Sequence, residues 1–371
     1  MPVSPIKFVD LITQHDDFRE EVMEAISRVF DHGQFVYGDE VTEFEQRFAD
    51  YCGTQFAVSL NSGLDALILA LRALGVGPGS EVITPPNSYI ASSGAIGLLG
   101  ARPVFVDVRC DYNIDPLAIE QAITAKTKAI MPVHLTGRPA EMDAINAIAK
   151  RHGLPIIEDA AQAIATKYKE RLAGALGDIG CFSFHPLKTL NACGDGGIVV
   201  TNCRQIQQRI IQLRNHGLKN RDECMEWGYN SRLDTIQAAI LNIKLAHVDR
   251  WASKRRANAL HYKEGLTGVG DLVLPRDQPH EYATYHTFII RSKRREALKS
   301  YLNRLEIHAG VHYPIPIHLQ PAADYLGYKQ GDMPEAEAQA SEILSLPVQQ
   351  GIDASGIDYV INAIKQFFKS T

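Results

Sequence analysis

LPIIEDAAQA (residues 154–163) and GCFSFHPLKTLNACGDGG (residues 180–197) each run from a short apolar, β-rich segment into polar residues and a turn of small side chains. Strands of that kind are buried on both faces of an open α/β sheet, and ligands bind beyond their carboxyl ends. The same alternation extends in both directions. Strands are predicted at 56–60, 81–84, 103–108, 129–133, 155–158, 179–184 and 198–201, with helices at 63–74, 88–99, 116–123 and 141–151 between them. GVGPG at 75–79 and His152-Gly153 stop two of those helices. The pattern predicts an α/β fold with a mainly parallel central sheet wrapped by helices.

Ahead of the first strand, two amphipathic helices at 17–30 and 39–51, joined by DHGQFVYG, form an N-terminal arm. Behind the last strand, a helical stretch without proline runs through 232–245 and 249–266, and the composition then shifts. The division is placed there, giving a large domain at 1–248 that includes the arm and a smaller C-terminal α+β domain at 249–371. The latter is predicted to hold a strand at 285–290, a helix at 294–305, the Pro-rich segment HAGVHYPIPIHLQP at 308–321, and helices at 335–344 and 354–368.

Composition narrows the function classes. The chain has 371 residues, 45% hydrophobic and 22% charged, with a formal net charge of −5, as in ordinary globular enzymes. No dense Lys/Arg run favours nucleic acid, and no apolar run is long enough to span a bilayer. Residues 1–10 lack a secretory signal, so a cytoplasmic location is expected. The six cysteines form no CxxC pair, so they are expected as reduced thiols, mostly buried.

Four places carry chemistry. Asp159 ends an apolar strand, a position that suits a helix cap or a carboxylate set beneath a heteroaromatic cation. Lys188 follows apolar residues closely and precedes the tight GDGG turn, so its amine is expected in a partly desolvated pocket, where a lowered pKa makes it a nucleophile. In VSLNSGLDALILAL (58–71), the free amides opening a helix make a phosphate site. In PPNSYIASS (85–93), Tyr89 stands at a strand-to-helix junction, ready for core packing or for stacking on a planar ring.

Together, GQFVYGDEV, NSGLDAL, IIEDAAQA, SFHPLKTLNACGDGG, GYNSRLDTIQAAIL, GVHYPIPIHLQP and LSLPV resemble, in order and over nearly the whole chain, the DegT/DnrJ/EryC1/StrS sugar aminotransferases. That resemblance implies a fold-type I pyridoxal 5'-phosphate (PLP) enzyme. It makes Lys188 the Schiff-base lysine and Asp159 the partner of the pyridine nitrogen, with Gln162 near the phenolic oxygen and Tyr89 against the ring. It gives the phosphate to the amides of Gly63 and Leu64, the hydroxyl of Ser183, and Asn230 supplied by a second subunit, which implies a homodimer with shared sites. Many relatives have threonine where Leu64 stands, which removes one hydroxyl contact.

His185, Arg232, His312, Tyr313 and His318 would face the substrate. No metal site is expected, because His312 and His318 lie at no strong ligand spacing. The implied reaction passes an amino group from L-glutamate to a keto-sugar, an NDP-linked deoxyhexose aminated at C3 by the GDGG cue, with C4 as the other option. Two other readings are a PLP-dependent sugar dehydratase, against which Lys188 speaks because those relatives carry histidine there, and a non-catalytic regulatory protein on the same scaffold.

Overall fold

The computed structural model describes residues 5–370, so four residues of the expected large domain and the last of the small one lie outside the described residues. Twelve strands are defined: β1 Phe56–Leu60, β2 Glu81–Thr84, β3 Arg102–Phe105, β4 Thr127–Ile130, β5 Ile157–Asp159, β6 Lys167–Tyr168, β7 Arg171–Leu172, β8 Ile179–Ser183, β9 Gly197–Thr201, β10 Glu281–Tyr282, β11 Phe288–Arg291 and β12 Ile343–Leu346. β3, β2 and β4 pair in parallel, as do β5 and β8. Parallel bridges Ile130–Ile156 and Val133–Asp159 join the two groups. β9 runs antiparallel to both β8 and β1. The resulting sheet has the order β3-β2-β4-β5-β8-β9-β1 with β9 alone reversed, the mainly parallel architecture that the alternation predicts.

Burial on both faces explains the continuous apolar strands. Ala57, Phe182, Ile198 and Val200 belong to one hydrophobic cluster, whereas Val58, Cys181 and Val199 belong to another, as strand alternation requires. Helix Asp39–Cys52 covers the first face, where Phe48 meets Phe182 with ring centroids 5.1 Å apart. Helix Gly63–Ala73 covers the second, its N-terminus capped by the Ser62 hydroxyl, which accepts from the Asp65 amide. A third cluster gathers Tyr262, Phe288, Leu302, Ile307, Leu344 and Ile364, and the N-terminal segment joins it through a parallel bridge between Ile6 and Ile307.

Several boundaries differ from expectation. The helix expected at 335–344 ends at Glu342, because Ile343–Leu346 pairs with β11 as a strand. The stretch from 232 is two helices, Thr235–Leu245 and Val248–Leu266. Helix Arg204–Arg214 was not anticipated. All six cysteines are unpaired, but only Cys52 and Cys181 are buried; Cys110, Cys193 and Cys224 are exposed, which corrects the expectation of mostly buried thiols. Among the described residues no helix is long and apolar enough to cross a membrane.

Candidate active site

Adjacent residues of a strand point to opposite faces, and the end of β5 uses this to give its two acids different surroundings. Glu158, fully buried, accepts hydrogen bonds from the amides of Gly174, Leu176 and Gly177 at 2.8, 2.7 and 2.6 Å, and its Oε2 lies 2.8 Å from His134 Nε2. Because His134 Nδ1 accepts from the Ala140 amide, Nε2 carries the proton and donates to Glu158. Asp159 accepts from the Ser92 hydroxyl at 2.9 Å and the Ala161 amide at 3.2 Å. Burial pushes its carboxyl above the usual range, opposed by those donors and by the Lys188 ammonium.

Lys188 sits in the loop that follows β8. The Ala192 amide donates to Phe184 O at 2.8 Å and closes that loop, while the Lys188 amide donates to His185 O. Burial pushes the Lys188 amine down to about 8, with Asp159 pulling the other way. The lysine and the carboxylate therefore lie within electrostatic reach of each other.

The anion cradle follows from close backbone approach. A Cβ on Gly63 would lie 2.5 Å from Ser183 Cβ, so only glycine lets the helix start meet the end of β8. The amides of Gly63 and Leu64, in the first turn, have no helical acceptor and face outward with the helix dipole. Ser183 Oγ accepts from the His185 amide at 3.3 Å. The half-buried Leu64 side chain packs on the second hydrophobic cluster.

Over the pocket, Tyr89 is 57% exposed, enough ring surface to cover a planar ligand, and its centroid is 5.7 Å from that of Tyr313. Gln162 Nε2 donates to the Tyr313 hydroxyl at 3.5 Å, while its Oε1 accepts from the Thr136 amide. His312 lies 2.9 Å from Ser345 Oγ, stacks on Phe8, and is pushed down to about 4 by burial and the Lys188 charge. His185 is exposed.

Three predicted residues are not brought in. His318 is buried, with Nε2 3.1 Å from Glu337 and its ring against Phe105 and Tyr328, because Ile317–Leu319 turns inward as a short helix; it does not face the Lys188 pocket. Asn230 is exposed on a bridge to Asn215, and Arg232 donates to Asn215 at 3.4 Å. Neither makes a hydrogen bond to Lys188, Asp159 or Ser183 within the described chain.

Other residues were missed. Ser92 lies in the first turn of helix Ala91–Leu98, three positions after Tyr89 at the strand-to-helix junction, and its hydroxyl in PPNSYIASS is the signal that could have found it. His286 is pushed well below the usual imidazole range by burial and the charges of Lys188, Arg255 and His312; nothing local in YHTFII announces it. Glu141, His280 and Glu281 form a group of ligand-type side chains, but the Arg138 guanidinium, 3.5 Å from Glu281, already meets its charge.

Residues 16–365 match the model of the DegT/DnrJ/EryC1/StrS aminotransferase family. The chain belongs to that family. Among its relatives is a dTDP-3-amino-3,4,6-trideoxy-alpha-D-glucose transaminase of Streptomyces venezuelae, 44% identical, with 98% of this chain and 96% of the relative covered. Another, a pleiotropic regulatory protein of Geobacillus stearothermophilus, is 43% identical with 98% and 99% covered. The crystal structure of S. venezuelae DesV in complex with a ketimine intermediate superposes with a TM-score of 0.97 at 43% identity, covering 99% of each chain. The superposition shows the same fold over nearly the whole chain.

Proposed function

We propose that this chain is a PLP-dependent aminotransferase that passes an amino group from L-glutamate to a nucleotide-linked 3-keto-deoxyhexose in amino-sugar biosynthesis. The observation that carries this reading is the meeting of Lys188, its amine pushed down to about 8, with the buried Asp159 beside a helix start that only Gly63 leaves open. Those residues fit the cofactor: a carboxylate for its ring nitrogen, free amides and the Ser183 hydroxyl for its phosphate, and a nucleophilic amine for its carbonyl carbon. When bound, PLP supplies the electron sink that lets a proton leave the donor's α-carbon.

Each residue has a separate task. Lys188 would hold the cofactor through its amine and would be the group that carries the proton. Asp159 would keep the ring N–H charged, Tyr89 would cover one ring face, and Gln162 would serve the phenolic oxygen. His185, His312 and Tyr313 would receive the substrate, while Arg232, held with Asn230 against Asn215 outside this chain's own pocket, would serve a partner's. The exposed position of Asn230 supports its donation to a partner's phosphate site, and hence a homodimer. Residues 1–248 act as the cofactor domain and 249–371 as a small substrate-side domain. Six unpaired thiols support a reducing, cytoplasmic setting. Amination at C3 is supported by GDGG after the lysine and by the name of the Streptomyces relative. The name of the Geobacillus relative favours a second reading, a regulatory protein.

Glutamate turnover separates the two. The PLP-loaded protein should convert glutamate to 2-oxoglutarate and then aminate a 3-keto member of a panel of NDP-keto-sugars, followed by mass spectrometry. Loaded protein that leaves glutamate untouched sinks the catalytic reading.

Two substitutions test the parts. Asp159→Asn leaves the ring nitrogen without its anion, and kcat for the glutamate half-reaction should fall roughly 10²–10³-fold while PLP still binds. Gly63→Ala forces the helix start away from Ser183, so titration of cofactor-free protein should show PLP affinity weakened at least about tenfold.

A further inference from the structure

Outside the pocket, the most unusual buried group is Lys244. Its side chain on helix Thr235–Leu245 is wholly buried, and no carboxylate among the described residues lies within ion-pair distance. Taking an ammonium out of water without a counter-charge is costly, and a methionine would fill the same space without that cost. Burial pushes Lys244 down to about 8, so it remains charged at neutral pH. Its two hydrogen bonds go to one residue: Nζ donates to Asn191 Oδ1 at 2.6 Å and to Asn191 O at 2.8 Å.

An ammonium only donates, so it determines which end of the Asn191 carboxamide faces it. The amide NH2 is thereby turned toward Pro186 O at 2.7 Å and Lys188 O at 3.1 Å. Two turns earlier on the same helix, Gln237 Oε1 accepts from the Cys193 amide at 2.8 Å. The helix thus grips the returning limb of the loop twice, and Asn191 carries the upper grip across to the limb that bears Lys188.

We infer that Lys244, acting through Asn191, is a positioning residue for Lys188: it orients the carboxamide that holds the carbonyls of Pro186 and Lys188, and so aims the amine at the cofactor. This rests on the aminotransferase reading above. The role demands a charged donor at 244 and an amide at 191, whereas a merely structural role demands only a filled, hydrogen-bonded core.

Asn191→Asp separates these. It preserves size, gives Lys244 a carboxylate to pair with, and removes the NH2 that holds the two carbonyls. Lys244→Met removes the orienting donor. In PLP-loaded protein, both variants should lower kcat for glutamate roughly 10–100-fold with KM changed less than about threefold, as for a slightly misplaced reacting group. Both should also move the midpoint of the pH titration of the cofactor's visible band, and Asn191→Asp should do so in protein that still melts cooperatively. Asn191→Asp that folds stably with wild-type kcat and titration midpoint overturns the proposal, and it decides the matter by itself if Lys244→Met does not fold. Wild-type protein that fails to turn over glutamate in the same assay overturns the functional reading itself, a result visible before any variant is compared.

Discussion

Replacing Lys188 with alanine should lower glutamate turnover roughly 10⁴-fold and abolish covalent retention of PLP. The expectation is large because one amine would perform two tasks, attachment and proton transfer. Borohydride treatment of wild-type protein followed by peptide mapping should modify Lys188; label recovered elsewhere, or an active alanine variant, would remove the basis of the mechanism. The amine also predicts a pH profile. Only its neutral form attacks the cofactor, and burial places its midpoint at about 8 instead of the ordinary 10.5. Capture of PLP by cofactor-free protein should therefore accelerate about tenfold per pH unit below that midpoint and level off above it. An exposed lysine would still be accelerating at pH 10. The linkage has the same origin. Between about 8 and 10.5 the unfolded chain holds a proton at this position that the folded chain has released, so cofactor-free protein gains stability as pH rises through that window.

The second large effect concerns stability. Glu158→Ala leaves three backbone amides and the His134 ring without their acceptor inside the protein. Orphaning such donors should cost about 3–5 kcal/mol, a large fraction of the 5–15 kcal/mol by which domains are usually stable. In a chain of this size, a drop in melting temperature on the order of 5–10 °C is expected by calorimetry. Activity should fall too, because the His134 amide donates to Asp159 O and the same network sets the end of β5. An unchanged melting temperature would show that water replaces the carboxylate at no cost, contrary to its complete burial.

The two acids show how far local reading reaches. Asp159 was legible because it ends an apolar strand and is followed by a small-residue turn, and Lys188 because apolar residues precede it and GDGG follows. Glu158 carries the same chemistry one position earlier, yet its donors come from 134 and 174–177, which no local pattern links to it. His318 shows the converse. HYPIPIH presents two histidines and a tyrosine on what reads as one extended segment, but Ile317–Leu319 coils, and Glu337 and Phe105 take the second imidazole into a separate cluster. Residues 343–344 read as the end of a helix because a helical run leads into them; pairing of 343–346 with β11, more than 50 residues away, made them strand.

What the sequence determined by itself was the order of buried strands and helices, and the residue types set at the strand ends. Apolar period, glycine turns and helix starts are local properties, and the motif set carried the family with them. The tertiary structure decided which of those ends meet. Crossing strands brought Asp159 to Lys188 and Gly63 to Ser183, helix Thr235–Leu245 supplied Lys244 to the loop of Lys188, and Asn230 was left at the surface. The reason is that burial and the loss of water, which lower the Lys188 amine and raise the Asp159 carboxyl, exist only once distant segments enclose them.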